Sequence, residues 1–272
     1  NDDISYNHFA LFPKYLYSFF IGDIYMINKI LIKNGDVITM DNKFKETEKL
    51  DILITNGKIE RISPNIEPQD GFKVIDASTM IVLPGLINSH IHTWQTGLRG
   101  LGSDWTATNY FRAMHAGMAT FFQPNDSYIA NLVGALNQIN NGVTTLVDWH
   151  HNNKTPDHSD AAIDGLEESG IRAVFLHGTP KPDPKPGQKH FSEFGMPKIE
   201  VERLRKERFS NDDQLLTMGL AILGPQMATE NVSIEDFRLA KDLDIIASIH
   251  HSGLQMTAPL GYKMGAKENL LD

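Results

Sequence analysis

From residue 85 onward, short apolar runs alternate with helical patterns, and this alternation restricts the chain more than any other feature. The runs cover residues 86–92, 144–148, 172–177, 218–222 and 245–250. Between them lie helical stretches near 105–122, 126–140, 159–168, 199–208 and 233–243. Strands alternating with helices imply βα units and a parallel sheet. The stops agree: Asn141-Gly142 ends one helix and Ser169-Gly170 another, with Gly170 placed as a C-cap. Ser233 is expected to cap the last helix, and the charged helix 199–208 is expected to be solvated. Residues 178–197 form a long loop rich in Pro, Lys and Gly, of the kind that is often functional. Residues 258–272 carry no pattern.

Residues 26–84 read differently, as a small β-module. Asn34-Gly35 and Asn56-Gly57 each lie between apolar runs, and the two segments resemble each other (ILIKNGDVI and ILITNGKIE). Asn-Gly favours the type I′ turn, which needs positive φ twice, so each segment predicts a hairpin. Further short strands are expected near Val74-Ile75 and over 80–82. Residues 1–25 are expected to be an extension, not a secretory leader, because Pro13, Lys14 and Asp23 interrupt the aromatic stretch.

Net charge narrows the partners. At −9, the chain is a poor match for nucleic acid or an anionic membrane surface. No apolar run reaches the length of a membrane span. There is no cysteine, so any metal must be held by His and carboxylates, and a reducing cytoplasmic setting is the expectation.

The chemistry gathers at the strand ends, where barrel enzymes place their active sites. His90 and His92 are spaced i, i+2 on the first strand and so face the same way. Two imidazoles converging from one strand end make a pair of metal ligands. The other strand ends carry residues 148–151, His177, Gln226 just beyond the fourth strand, and His250. His150, His151 and His177 are candidates for substrate contact, with solvated loop positions as the alternative. Trp94 and Trp105 either line a pocket or fill the loop packing. His115 lies in a helical pattern and reads as structural, while His8 and His190 have no informative context.

The stretch 83–100, with Pro84-Gly85, the apolar strand, the histidine pair and a Gly-containing loop, resembles the first strand and loop of the amidohydrolase superfamily. The likeness is greatest to its cytosine deaminase and chlorohydrolase-like group and runs from about residue 26 to 253. It implies an α/β fold of the (β/α)8 TIM-barrel type, incomplete here with strands 1–5, preceded by a β-sandwich portion at 26–84; the barrel part is 85–272. His90 and His92 match the ligands of the first strand and His250 that of the fifth. The fourth strand ends Ala221-Ile222-Leu223-Gly224-Pro225 without the Lys or Glu of binuclear members, which implies one divalent ion, zinc or alternatively iron. Gln95 matches a substrate-facing position, and Pro156-Asp157-His158 resembles a pattern of the subgroup.

The implied reaction is hydrolysis of a carbon–nitrogen bond, not a peptide bond, in a cyclic amidine, amide or nucleobase-like small molecule. Metal-activated hydroxide is the attacking species. The family's remaining His and Asp, on strands 6 and 8, are expected beyond Asp272, so no catalytic proton acceptor is assigned within these residues. Gly253 stands where many deaminases of the group carry Glu. The expected partners are a small-molecule substrate and, at full length, further copies in a homo-oligomer. The alternative is a truncated, non-catalytic relative that retains partial metal or partner binding.

Overall fold

The structure is a computed structural model that describes residues 29–41 and 48–250. These residues form two compact units. One takes in the described residues up to 87 together with 142–145, the other residues 88–141 and those from 146 on.

The first unit holds five strands: β1 (Lys29–Val37), β2 (Glu48–Thr55), β3 (Lys58–Ser63), β4 (Lys73–Asp76) and β5 (Ile81–Val82). Their order is β3-β2-β1-β4, with β5 also paired to β1. Alternation divides the strands between two faces. Ile32, Val37, Leu50, Ile52 and Ile54 form one core, and Leu31, Leu53 and Ile66 another.

The two Asn-Gly segments part company. Asn56 and Gly57 take φ of 51° and 77° and close the β2–β3 hairpin. Asn34-Gly35 makes no hairpin: β1 runs straight through it, with a bulge between Ile32 and Gly35. The cause is tertiary. The Asn34 N–H donates to Oδ1 of buried Asp51 at 2.7 Å, and a Cβ on Gly35 would lie 2.6 Å from Val82 Cγ2. The turn residues are absorbed into a sheet that pairs the two similar segments with each other, Ile30 with Ile54 and Ile32 with Ile52.

The βα part follows in chain order: β6 (Leu86–Ile91), α1 (Ala107–Tyr110), α2 (Pro124–Asn140), β7 (Val143–His150), α3 (Pro156–Ser169), β8 (Arg172–Gly178), α4 (Lys198–Glu207), β9 (Leu216–Ala221), α5 (Gly224–Met227), α6 (Glu230–Asp242) and β10 (Ile246–Ser248). The sheet order is β10-β9-β8-β7-β6, so each strand lies beside its predecessor. The β8–β9 and β9–β10 ladders are parallel, as helix-linked strands require. Helix α3 stops at Gly170, whose φ of 72° is the left-handed C-cap.

Three local expectations are corrected. The helix expected over 105–122 is a string of short turns: α1, a π turn at Phe111–His115 and a 3-10 turn at Met118–Phe121. At Gly117 (φ −106°, ψ −100°) the helix ends, and a Cβ there would meet Ala113 O at 2.5 Å. The turns let Met114 join Trp94 and Ala119 in a core of their own. Helix α6 begins earlier than expected, with Thr229 at the N-cap position, which leaves Ser233 buried inside it. Helix α4 is not simply solvated: Val201 and Leu204 are fully buried on one side. Its Arg203 ties Glu200 to Asp160 of α3.

Candidate metal centre

Alternation along β7 sorts the site. Val147 and Trp149 pack on one face with Val174 and Leu176 of β8 and Ala221 of β9. Asp148 and His150 turn to the other face, where Asn131 of α2 and Phe175 lie. Trp149 is a hub. Its carbonyl accepts from His92 Nδ1 at 2.7 Å, and its indole Nε1 donates to Ser248 Oγ of β10 at 3.1 Å. Its ring packs 4.0 Å from that of His250. A residue of β7 thus holds together the ends of β6 and β10.

On this scaffold His90, His92 and His250 converge. One nitrogen from each lies within 4.8 Å of the others, and Nε2 of His90 and of His250 are 3.1 Å apart. Among the described residues this is the one group of three or more potential metal ligands. The hydrogen bond to Trp149 O places the His92 proton on Nδ1, so its Nε2 carries the free lone pair. Burial pushes His92 down to about 4, against that hydrogen bond, and His90 pushes it further the same way. Burial, then His92 and His90, push His250 down to about 3. Three imidazoles that each bring a nitrogen this close are a donor set suited to a divalent cation.

The carboxylate of Asp148 braces this arrangement from behind. It is fully buried; Oδ1 accepts from the Thr93 N–H at 2.9 Å, directly after His92, and Oδ2 from Asn131 Nδ2 at 3.0 Å.

The remaining candidates are placed as follows. His151 is buried, with its ring 4.5 Å from that of His92, and burial holds it well below the ordinary histidine value. His150 and His177 are not brought to the trio. They lie on the helix-facing side, His177 beside Ser159 Oγ of α3 at 3.3 Å and His150 against Phe175. The amide of Gln95 donates to the Tyr110 hydroxyl at 2.6 Å. Trp94 is fully buried against Phe122 and His151, and Trp105 packs in the same cluster, so both serve the loop packing. His115 is buried in the π turn, His158 bonds Thr155 and Phe122 O, and His190 sits at the start of a 3-10 turn. Gln226 is buried in α5. His8 and Gly253 lie outside the described residues.

Sequence reasoning passed over two residues, Trp149 and Lys181. The i, i+2 rule applied along β7 would have put Trp149 and His151 on the site's side and His150 on the other. Lys181 had no signal, since it is one of several lysines in a polar loop.

Residues 81–257 match the family model described as the amidohydrolase family. The chain belongs to the amidohydrolase family. Among curated relatives, it is 35% identical over 172 residues to a 5-methylthioadenosine/S-adenosylhomocysteine deaminase of Carboxydothermus hydrogenoformans, covering 62% of this chain and 38% of that one. It is 36% identical over 151 residues to a 5′-deoxyadenosine deaminase of Methanobrevibacter smithii, covering 56% and 33%. The match therefore spans about a third of the length of these amidohydrolases. A solved structure of atrazine chlorohydrolase from Arthrobacter aurescens complexed with zinc superposes with a TM-score of 0.69 at 24% identity, over 88% of this chain and 55% of that one. The shared fold is α/β, an incomplete barrel-like sheet of the amidohydrolase type. No described helix is long and apolar enough to cross a membrane.

Proposed function

We propose that this chain is part of a metal-dependent hydrolase that cleaves a carbon–nitrogen bond in a cyclic amidine, amide or nucleobase-like small molecule. The convergence of His90, His92 and His250 carries the reading, because it joins strand ends 160 residues apart in sequence. His90, His92 and His250 would hold one divalent ion, zinc or alternatively iron. When bound, such an ion acts as a Lewis acid that brings the pKa of water down towards about 7.

The chain's own residues supply geometry. Trp149 fixes the tautomer of His92, Asp148 fixes the turn that follows it, and the indole with His151 excludes water from one side of the trio. The deaminase relatives and the zinc-containing structural neighbour support the reaction class. A homo-oligomer at full length and a sandwich completed around the β1–β5 sheet belong to the same reading.

The test is zinc titration of the purified chain and its His90→Ala variant. One zinc per chain is expected, with affinity reduced by about tenfold or more in the variant. Unchanged metal content in His90→Ala would defeat the assignment.

A further inference from the structure

Lys181 is the residue of this site that its surroundings leave unexplained. It follows β8 at the start of the long loop and is only 6% exposed. Its Nζ lies 5.3 Å from the centroid of the Trp149 ring, the same indole that packs on His250 and His92. Among the described residues it makes no hydrogen bond and has no carboxylate within ion-pair distance, whereas Lys33 and Lys49 both have acidic partners. The titratable groups that feel its charge are His92, His115, His151 and His250, all bases that it disfavours from charging.

An ammonium buried without an anion is strongly unfavourable. Contact with an indole face recovers only a small part of that cost. A stretch of loop that buries Lys181 against Trp149 therefore keeps a cation beside the histidine trio whose counter-charge the described residues do not supply. A divalent ion at the trio would make the same space more positive still. An electropositive site selects ligands of the opposite sign. Burial lowers Lys181 to about 7, so an anion bound beside it would favour the protonated, donating form.

We propose that Lys181 is a substrate-binding residue that donates a charge-assisted hydrogen bond to an anionic oxygen of the substrate, so that the enzyme prefers acidic heterocycles to uncharged ones. This rests on the reading of His90, His92 and His250 as the reaction centre, and it specifies the substrate class of that centre. Lys181 supplies the polar end that orients the bound anion.

The experiment compares binding of acids with their uncharged amides: orotate with orotamide, nicotinate with nicotinamide, benzoate with benzamide. Each is titrated calorimetrically into the zinc-loaded chain, the Lys181→Met variant and the Lys181→Arg variant, with zinc content measured on the same samples. At least one acid is expected to bind about tenfold or more tightly than its amide. That preference should vanish in Lys181→Met at unchanged zinc content and persist in Lys181→Arg, which keeps the charge. Met matches the apolar stem of Lys and removes a buried charge, so the variant is expected to fold; Lys181→Gln serves as a second neutral variant. Equal binding of acid and amide in every pair would overturn the proposal, and so would a preference that survives in both neutral variants. If zinc fails to bind while the Lys181-dependent preference remains, the metal reading falls and the anion site stands.

Discussion

Asp148 is the residue through which the fold holds the candidate site, and its removal makes a quantitative test. Asp148→Ala deletes two acceptors in a fully buried place, leaving the Thr93 N–H without a partner and Asn131 Nδ2 with only Ala162 O at hydrogen-bonding distance besides the longer contact to His150. An orphaned buried donor costs about 1–3 kcal/mol. Thr93 bears the full penalty and Asn131 a part of it, so a loss of about 3 kcal/mol is expected. That is a large share of the roughly 5–15 kcal/mol that holds a typical domain folded.

The second effect is on the trio. Thr93 follows His92 directly, so freeing its N–H loosens that ligand, and the loss of such supporting partners typically lowers metal affinity about 10–100-fold. Asp148→Asn keeps an acceptor for Thr93 but sets an amide nitrogen against Asn131 Nδ2. It should therefore lose stability while retaining more of the zinc affinity than Asp148→Ala. Urea unfolding reads the first quantity, as a lower midpoint at unchanged m, and competition with a chromogenic chelator reads the second. The reasoning fails if Asp148→Ala unfolds within about 0.5 kcal/mol of the parent and binds zinc equally well.

Two further outcomes follow from the structure. Gly57 sits at φ 77° in the β2–β3 turn with open space where a Cβ would go, so Gly57→Ala should cost about 1–2 kcal/mol by conformation alone; urea unfolding that shows no loss would contradict the turn geometry. His177 is held down to about 3 by burial, with His150 and Arg203 acting in the same direction. Below pH about 6.5 the unfolded chain therefore takes up a proton that the folded chain refuses. Stability should fall as pH drops from 6.5 towards 3, by about 1.4 kcal/mol per pH unit from this group. His177→Gln should show a shallower fall in unfolding experiments between pH 7 and 4.5, and an identical slope would remove His177 from the account.

Some of this was written in local pattern. The apolar runs and their glycine stops specify βα units because side-chain period and capping are properties of a few consecutive residues. Gly170 has a left-handed φ and Asn56-Gly57 closes a hairpin for the same reason. The shared face of His90 and His92 needed only the period of a strand. Identical local signals, however, met different neighbours. Asn34-Gly35 repeats Asn56-Gly57, yet Asp51 and Val82 hold it inside a strand. A helical pattern over 105–122 broke into turns where Gly117 and the Trp94 cluster required it.

The sequence by itself determined that this chain builds parallel βα units with histidines at the strand ends, since periodicity and capping act over one turn or one strand. Only the tertiary structure decided which of those histidines meet. His250 reaches His90 across 160 residues, His151 turns towards His92 while His150 turns away, and Lys181 is buried beside them with no anionic partner among the described residues. Those outcomes depend on sheet order and on which face of β7 is covered. Such long-range contacts arise when the strands pack, and no stretch of neighbouring residues encodes them.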